Sequence, residues 1–113
     1  GRYVFKHGDK PDGLYFIIEG KVKVLKKLED DSEIVLETHE PPGMFGEMAF
    51  IDGGRRSASV VTLEKFKSLV LTDDNFKKII ENYPLIAMNI IRKIAHAIAL
   101  KFRIESNEQR GLI

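Results

Sequence analysis

The chain has 113 residues, 43% hydrophobic and 31% charged, with 18 basic against 17 acidic side chains and a formal net charge of +1. This length predicts a single domain able to bury a core without covalent staples, and the near-neutral balance argues against a protein that coats polyanions, whose basic charge concentrates on one face. The lack of cysteine excludes disulfides, thiolate zinc sites and cysteine-held iron–sulfur clusters.

The first two-thirds reads as strands and turns. "RYVF" (2–5) is strand-like and follows directly on Gly1, which suggests a fragment of something longer. "KHGDKPDG" (6–13) clusters Gly, Asp and Pro and marks a turn. "LYFIIEGKVKVLKK" (14–27) alternates apolar residues on both sides of Gly20, as two short strands joined there would. "SEIVLETHE" (32–40) is a further strand, stopped by Pro41 and Pro42, which lack the N–H that a ladder needs. "SASVVT" (57–62) and "KFKSLVLT" (65–72) read as two more. Short strands at this spacing predict a small β-barrel or jelly roll.

The hydrophobic period then changes. "TDDNFKKIIENY" (72–83) offers Thr72 or Asp73 as N-cap and Phe76, Ile79 and Ile80 at helical spacing, predicting a short helix over 73–82. Pro84, acceptable in a first turn, separates it from a long helix that nothing interrupts from Leu85 to about Gln109, with Gly111 as its terminator. Asn89, Arg92, His96 and Arg103 share one stripe of that helix. Two apolar rows remain, Ile91, Ile94 and Ile98 on one and Ile86, Ile90, Ala97 and Ile104 on the other. Two rows need two partners. The β-domain is the expected cover for one and the same helix of a second copy for the other, giving a homodimer through residues 84–109; the alternative is a helix folded back on its own barrel with apolar surface left over. Lys101 and Glu105 interrupt the continuation of the first row, so any coiled seam is short. Arg92, Lys93 and Lys101 break the apolar run, so no membrane span is expected. The same cations, with Arg103, are the best candidates for a nucleic-acid contact, but they are spread along the helix.

The chemistry concentrates in "FGEMAFIDGGRRSASVV" (45–61). Gly46 permits a positive φ or a close backbone approach. Residues 47–51 can form one helical turn whose free N–H groups favour an anion. Arg55 or Arg56 can grip a phosphate through paired, charge-assisted hydrogen bonds, while Glu47 suits a neighbouring hydroxyl, as an acidic residue does for a ribose in dinucleotide folds. An anion at one end and a hydroxyl at the other describe a sugar phosphate. The same residue types also fit an ordinary surface ion pair between Glu47 and an arginine, and residue types alone leave both open.

The segment resembles the phosphate-binding cassette of the cyclic nucleotide-binding domain family, F-G-E-(aliphatic)-A-(apolar)-(apolar), a variable turn, then R-(A/S)-A-(T/S)-V. Here the pattern is met by Phe45, Gly46, Glu47, Met48, Ala49, Phe50 and Ile51, then Arg56, Ser57, Ala58, Ser59 and Val60. "GDKPDGLYFIIEGKVKV" matches the family's glycine-punctuated early strands as well. The resemblance implies a mainly β fold with C-terminal helices, an eight-stranded, jelly-roll-like β-roll or double-stranded β-helix over residues 1–83, with the cassette at 45–60, and a long lid or dimerisation helix over 84–113. It assigns Arg56 to a cyclic phosphate and Glu47 to the ribose 2′-hydroxyl. Gly46 would lie by the ribose, and backbone N–H groups near Met48, Ala49, Ser57 and Ala58 would complete the cradle. Phe50 takes the place of an apolar relay residue, and Lys101 and Phe102 fall where the family places base contacts. The implied ligand is cAMP or cGMP, with no further cofactor. Arg55, immediately before the phosphate arginine, is left unexplained by the family pattern.

Rival classes find less. His7, His39 and His96 have no paired spacing, which weakens a cupin-like metalloenzyme or a haem sensor ligated through His39 or His96, and His96 reads as a surface residue. No Ser-His-Asp grouping or close carboxylate pair suggests hydrolysis, so no enzyme is expected. A degenerate, ligand-free dimerisation domain is opposed by the intact Glu47 and Arg56. Only four residues follow Gln109, too few for a helix-turn-helix, so this chain by itself is not expected to read DNA. The expected setting is a cytoplasmic regulator, of the bacterial transcription-factor, channel or kinase kind.

Overall fold

The computed structural model of the chain describes the backbone of residues 1–109 and the side chains of residues 1–103. Seven strands and three helices are found among them: β1 (Tyr3–Phe5), β2 (Leu14–Glu19), β3 (Val22–Lys27), β4 (Glu33–His39), β5 (Met44–Phe45), α1 (Glu47–Asp52), β6 (Ser59–Thr62), β7 (Lys67–Leu71), α2 (Asp73–Asn82) and α3 (Pro84–Gln109). The chain forms two compact units, Gly1–Asp73 and a second beginning at Asp74, so α2 groups with α3.

In the first unit the strands make two antiparallel sheets, ordered β1-β6-β3-β4 and β5-β2-β7. This is the expected β-roll, with seven strands among the described residues where the resemblance implied eight. The two residues of β5 escape sequence reading because Pro41, Pro42 and Gly43 precede them and Gly46 follows. Gly20 is the point where the chain leaves one sheet for the other. Its φ is +93°, and a Cβ there would collide with the Lys65 carbonyl oxygen, so only glycine fits.

Alternation along β2 and β3 supplies the core. Tyr15 and Ile17 from one sheet, with Phe45, face Phe5, Val22, Val24 and Val60 from the other. Tyr15 and Phe45 are cross-strand neighbours whose rings stack 5.0 Å apart, and Phe5 tilts against both at 5.8 and 5.9 Å. Two of these rings, Phe5 and Tyr15, lie against the Arg56 guanidinium. At the sheet edge, β4 leaves Ile34, Val35 and Leu36 exposed.

In the second unit, α2 begins at Asp73, which places Thr72 at the N-cap, and it buries Phe76 while Ile80 remains exposed. On α3 the buried and half-buried positions are Ala87, Ile90, Ile94, Ala97, Ile98 and Lys101, one stripe drawn from both predicted rows. The rows need correcting accordingly, because Ile86 and Ile91 are exposed. A second apolar stripe does exist, displaced around the helix: Met88, Ile91, Ala95, Ala99 and Phe102, at i, i+3, i+7, i+11 and i+14, all exposed. The polar stripe of Asn89, Arg92, His96 and Arg103 is exposed as predicted. The Ile104 and Glu105 side chains and the predicted terminator Gly111 lie outside the described residues.

Candidate functional site

Arg56 occupies the loop between α1 and β6 and is only 3% exposed. A guanidinium cannot shed its charge, so it is buried only where π faces and acceptors replace water. Both are present. The Arg56 guanidinium lies 3.9 Å from the centroid of the Phe5 ring and 5.8 Å from that of Tyr15, in cation–π contact. Its Nη1 donates to the Gly46 carbonyl at 3.1 Å, and Nη2 donates to Asp12 Oδ1 and to the Gly13 carbonyl, both at 2.8 Å. Nε is buried without a protein acceptor.

The acid in this network is therefore Asp12, 44 positions away in the chain. Asp12 also accepts a 2.6 Å hydrogen bond from the Tyr15 hydroxyl. Burial works against ionising Asp12, but the hydrogen bonds from Tyr15 and Arg56 and the charge of Arg56 outweigh it, holding the carboxyl below its ordinary value of 3.8. Burial, then the hydrogen bond and charge of Asp12, push the Tyr15 phenol well above its ordinary range. Tyr15 thus stays a neutral donor.

Gly46 positions the other half. It is the N-cap of α1 with φ 85° and ψ 15°, and a Cβ there would lie 2.6 Å from Arg56 Nη1. The close approach of its carbonyl to the arginine and the left-handed backbone both demand glycine. α1 then runs six residues, one more than the predicted turn, and Gly53 closes it through its N–H to the Ala49 carbonyl at 2.9 Å. Glu47 opens α1 and is 3% exposed, Ala49 is buried, Met48 is 44% exposed and Phe50 is half-buried. Ser57 is exposed and Ala58 packs on the core. Glu47 and Arg56 are both buried, so a pair between these two would not be the ordinary surface ion pair weighed from residue types, and the acid bonded to Arg56 at 2.8 Å is Asp12. Arg55 is exposed and donates from Nη1 to the Gly8 carbonyl at 3.0 Å.

Of the residues the motif implied, Gly46 and Arg56 are in direct contact, Glu47 and Ala49 are buried in α1, and Ala58 packs on the core. Lys101 and Phe102 stand on α3 in the second unit, half-buried and 71% exposed respectively. Sequence reasoning missed Phe5, Asp12, Gly13 and Tyr15, which complete the arginine's surroundings, and Ser59 as a contact. The Ser59 Oγ accepts from the His7 N–H at 2.9 Å. The Asp-Gly pair at 12–13 was the available signal, read only as turn chemistry. Among the described residues there is no cluster of three or more His, Cys, Asp or Glu able to hold a metal, and no helix is long and apolar enough to cross a membrane.

The cyclic nucleotide-binding domain family matches residues 1–83. A CRP-like cAMP-activated global transcriptional regulator of Mycobacterium tuberculosis is 34% identical over 95 residues, which cover 84% of this chain and 42% of that protein. Among solved structures, the Thermus thermophilus catabolite activator protein aligns with a TM-score of 0.85 at 32% identity, covering 99% of this chain and 51% of that one. A cyclic nucleotide-binding domain from Methylobacillus flagellatus aligns at 0.84 and 27% identity, over 96% of this chain and 60% of that one. The chain belongs to the cyclic nucleotide-binding domain family and has its fold; it spans less than half the length of the curated relatives it matches.

Proposed function

We propose that this member of the cyclic nucleotide-binding domain family holds cAMP or cGMP with Arg56 on the cyclic phosphate and Glu47 on the ribose 2′-hydroxyl. The observation that carries the reading is the state of Arg56. A buried, permanently charged guanidinium keeps its Nε–H without a protein acceptor, a deficit worth roughly 1–3 kcal/mol when nothing fills it. A phosphate oxygen fills it with a charge-assisted bond. The N–H groups of Met48 and Ala49, in the first turn of α1, have no intrahelical acceptor of their own, and with the backbone at Ser57 and Ala58 they form the proposed remainder of the cradle. Gly46 brings its backbone against the ribose.

The exposed stripe of Met88, Ile91, Ala95, Ala99 and Phe102 supports a homodimer through α3. On that reading Phe102 belongs to the seam between copies, with Phe50 retained as the relay residue of the cassette. The whole protein is read as a cytoplasmic regulator of the transcription-factor kind, in keeping with the M. tuberculosis relative, and this chain as its sensing part and not a catalyst. Thermal unfolding with cAMP and cGMP tests the ligand assignment. A ligand at about 100 times its dissociation constant adds roughly 2.7 kcal/mol, or on the order of 10 °C for a domain of this size. No shift with either nucleotide overturns the assignment.

A further inference from the structure

Arg55 is a cation of the cassette segment that the ligand reading leaves without work. Two cations side by side suggest a doubled phosphate grip, but Arg55 already has an acceptor inside the chain. Its Nη1 donates to the carbonyl of Gly8, 47 positions earlier, at 3.0 Å. This bond is one of four that tie the turn at residues 6–9 to the cassette. The Gly8 N–H donates to the Arg56 carbonyl at 2.8 Å, the Arg56 N–H donates to the Asp9 carbonyl at 2.9 Å, and the His7 N–H donates to Ser59 Oγ at 2.9 Å. Within itself the turn is closed by the Asp9 N–H to the Lys6 carbonyl at 3.0 Å and by the Lys6 N–H to Asp9 Oδ2 at 2.9 Å. Gly8 sits there at φ +88°, with no atom beyond its two chain neighbours within 4 Å of where a Cβ would stand. Its place in the turn is set by backbone conformation and by these bonds, not by packing.

Three residues beyond Asp9, the same loop delivers Asp12 and the Gly13 carbonyl, which accept the hydrogen bonds of Arg56 Nη2. The loop therefore meets the arginine twice, along its backbone at residues 8–9 and at its guanidinium at residues 12–13. We infer that Arg55 is a positioning residue: it clamps the 6–9 turn through the Gly8 carbonyl and so sets the aim of the Arg56 guanidinium, and it is not a second phosphate ligand. The inference rests on the reading of Arg56 as the phosphate residue, but its structural half can be measured without any nucleotide.

The test compares the full chain with R55A and R55K in three measurements. Two use ligand-free protein: amide hydrogen exchange at Gly8 and Arg56, and the ¹⁵N–¹H signal of the Arg56 Nε–H. The third is cAMP affinity at several salt concentrations. The clamp predicts faster exchange at both amides in R55A and a shifted or broadened Arg56 Nε–H signal. It also predicts a roughly three- to tenfold loss of cAMP affinity, the range for one hydrogen bond, with the salt dependence unchanged and Lys restoring all three. Unaltered exchange and an unaltered Nε–H signal in R55A overturn the clamp. A loss of affinity together with a shallower salt dependence and undisturbed exchange makes Arg55 a phosphate cation instead. If the unmutated chain binds neither cAMP nor cGMP, the ligand assignment fails, and the two ligand-free measurements still decide the clamp.

Discussion

At the cassette, a charged side chain is buried to 3% exposure and held by three acceptors and two aromatic faces from its own chain. Along α3, Met88, Ile91 and Phe102 stand 55%, 45% and 71% exposed on one stripe. The first region spends its interactions on fixing one polar group, and the second withholds its interactions from the chain that carries it. A fixed donor suits recognition of a small ligand, since binding then orders little that was not ordered before. An uncovered apolar stripe suits association, where burial at about 25 cal/mol per Å² becomes available only when a partner arrives. The contrast is testable, because damage to one region should leave the other's property in place.

The largest effect is expected at Arg56. Arg56→Ala should lower cyclic nucleotide affinity by about 2–5 kcal/mol, roughly thirty- to several-thousand-fold, with self-association in the ultracentrifuge unchanged. Arg56→Lys should also bind weakly, because an ammonium keeps the charge but has neither the planar face that stacks on Phe5 nor the fork that serves three acceptors. Calorimetry on both variants decides; near-normal binding by either would remove Arg56 from the phosphate.

Gly46→Ala comes next. The added Cβ meets Arg56 Nη1 at 2.6 Å and must hold a φ of 85°, a strain on the order of 1–3 kcal/mol. Since the guanidinium end can move away, the damage should appear as a loss of affinity larger than the accompanying loss of stability. Comparing calorimetry with thermal unfolding separates the two. A fall in stability with affinity intact would show that Gly46 serves the fold alone.

How much of this was legible in the sequence differs between the regions for a physical reason. Gly46, Glu47 and Arg56 lie within eleven residues of one another, so their spacing is readable along the chain. Asp12, Tyr15 and Phe5 reach the same guanidinium from 41 to 51 positions away through the pairing of β2 with β5 and β1 with β6. No local pattern encodes that meeting. On α3 the presence and length of the helix followed from its period and its lack of a breaker. The rows did not, because adjacent stripes differ by a few tens of degrees around the axis and small residues such as Ala95 and Ala99 carry little signal. Assigning Ile91 and Ile94 to one face merged an exposed position with a buried one.

On α3 the informative substitution is Ile91→Glu. A charge on the exposed stripe should weaken self-association by at least about tenfold, the usual effect of disrupting an anchor at an interface, while thermal stability at low concentration changes by no more than about 0.5 kcal/mol. Sedimentation across a concentration series measures the first and thermal unfolding the second. If association is unchanged, the stripe is not the seam. If the variant unfolds instead, the position is covered within the chain and α3 has no free apolar stripe there.

The smallest effect separates the arginine's two kinds of support. The folded-state pKa of Asp12 is depressed below 3.8, so the native state favours its ionised form. The stabilisation this brings is present above the unfolded value and disappears as pH falls through the folded one. The Asp12 side chain is 61% exposed although that of Arg56 is 2% exposed, so solvent screening keeps the contribution under about 1 kcal/mol. Asp12→Asn should therefore cost little at pH 7 and should flatten the acid limb of the stability curve below pH 3.8, where the unmutated chain gives up the same increment. Urea unfolding of both proteins from neutral pH into that range measures the difference. Parallel acid limbs would mean that Asp12 contributes no titrating charge, leaving Arg56 held by the Gly46 and Gly13 carbonyls and the faces of Phe5 and Tyr15.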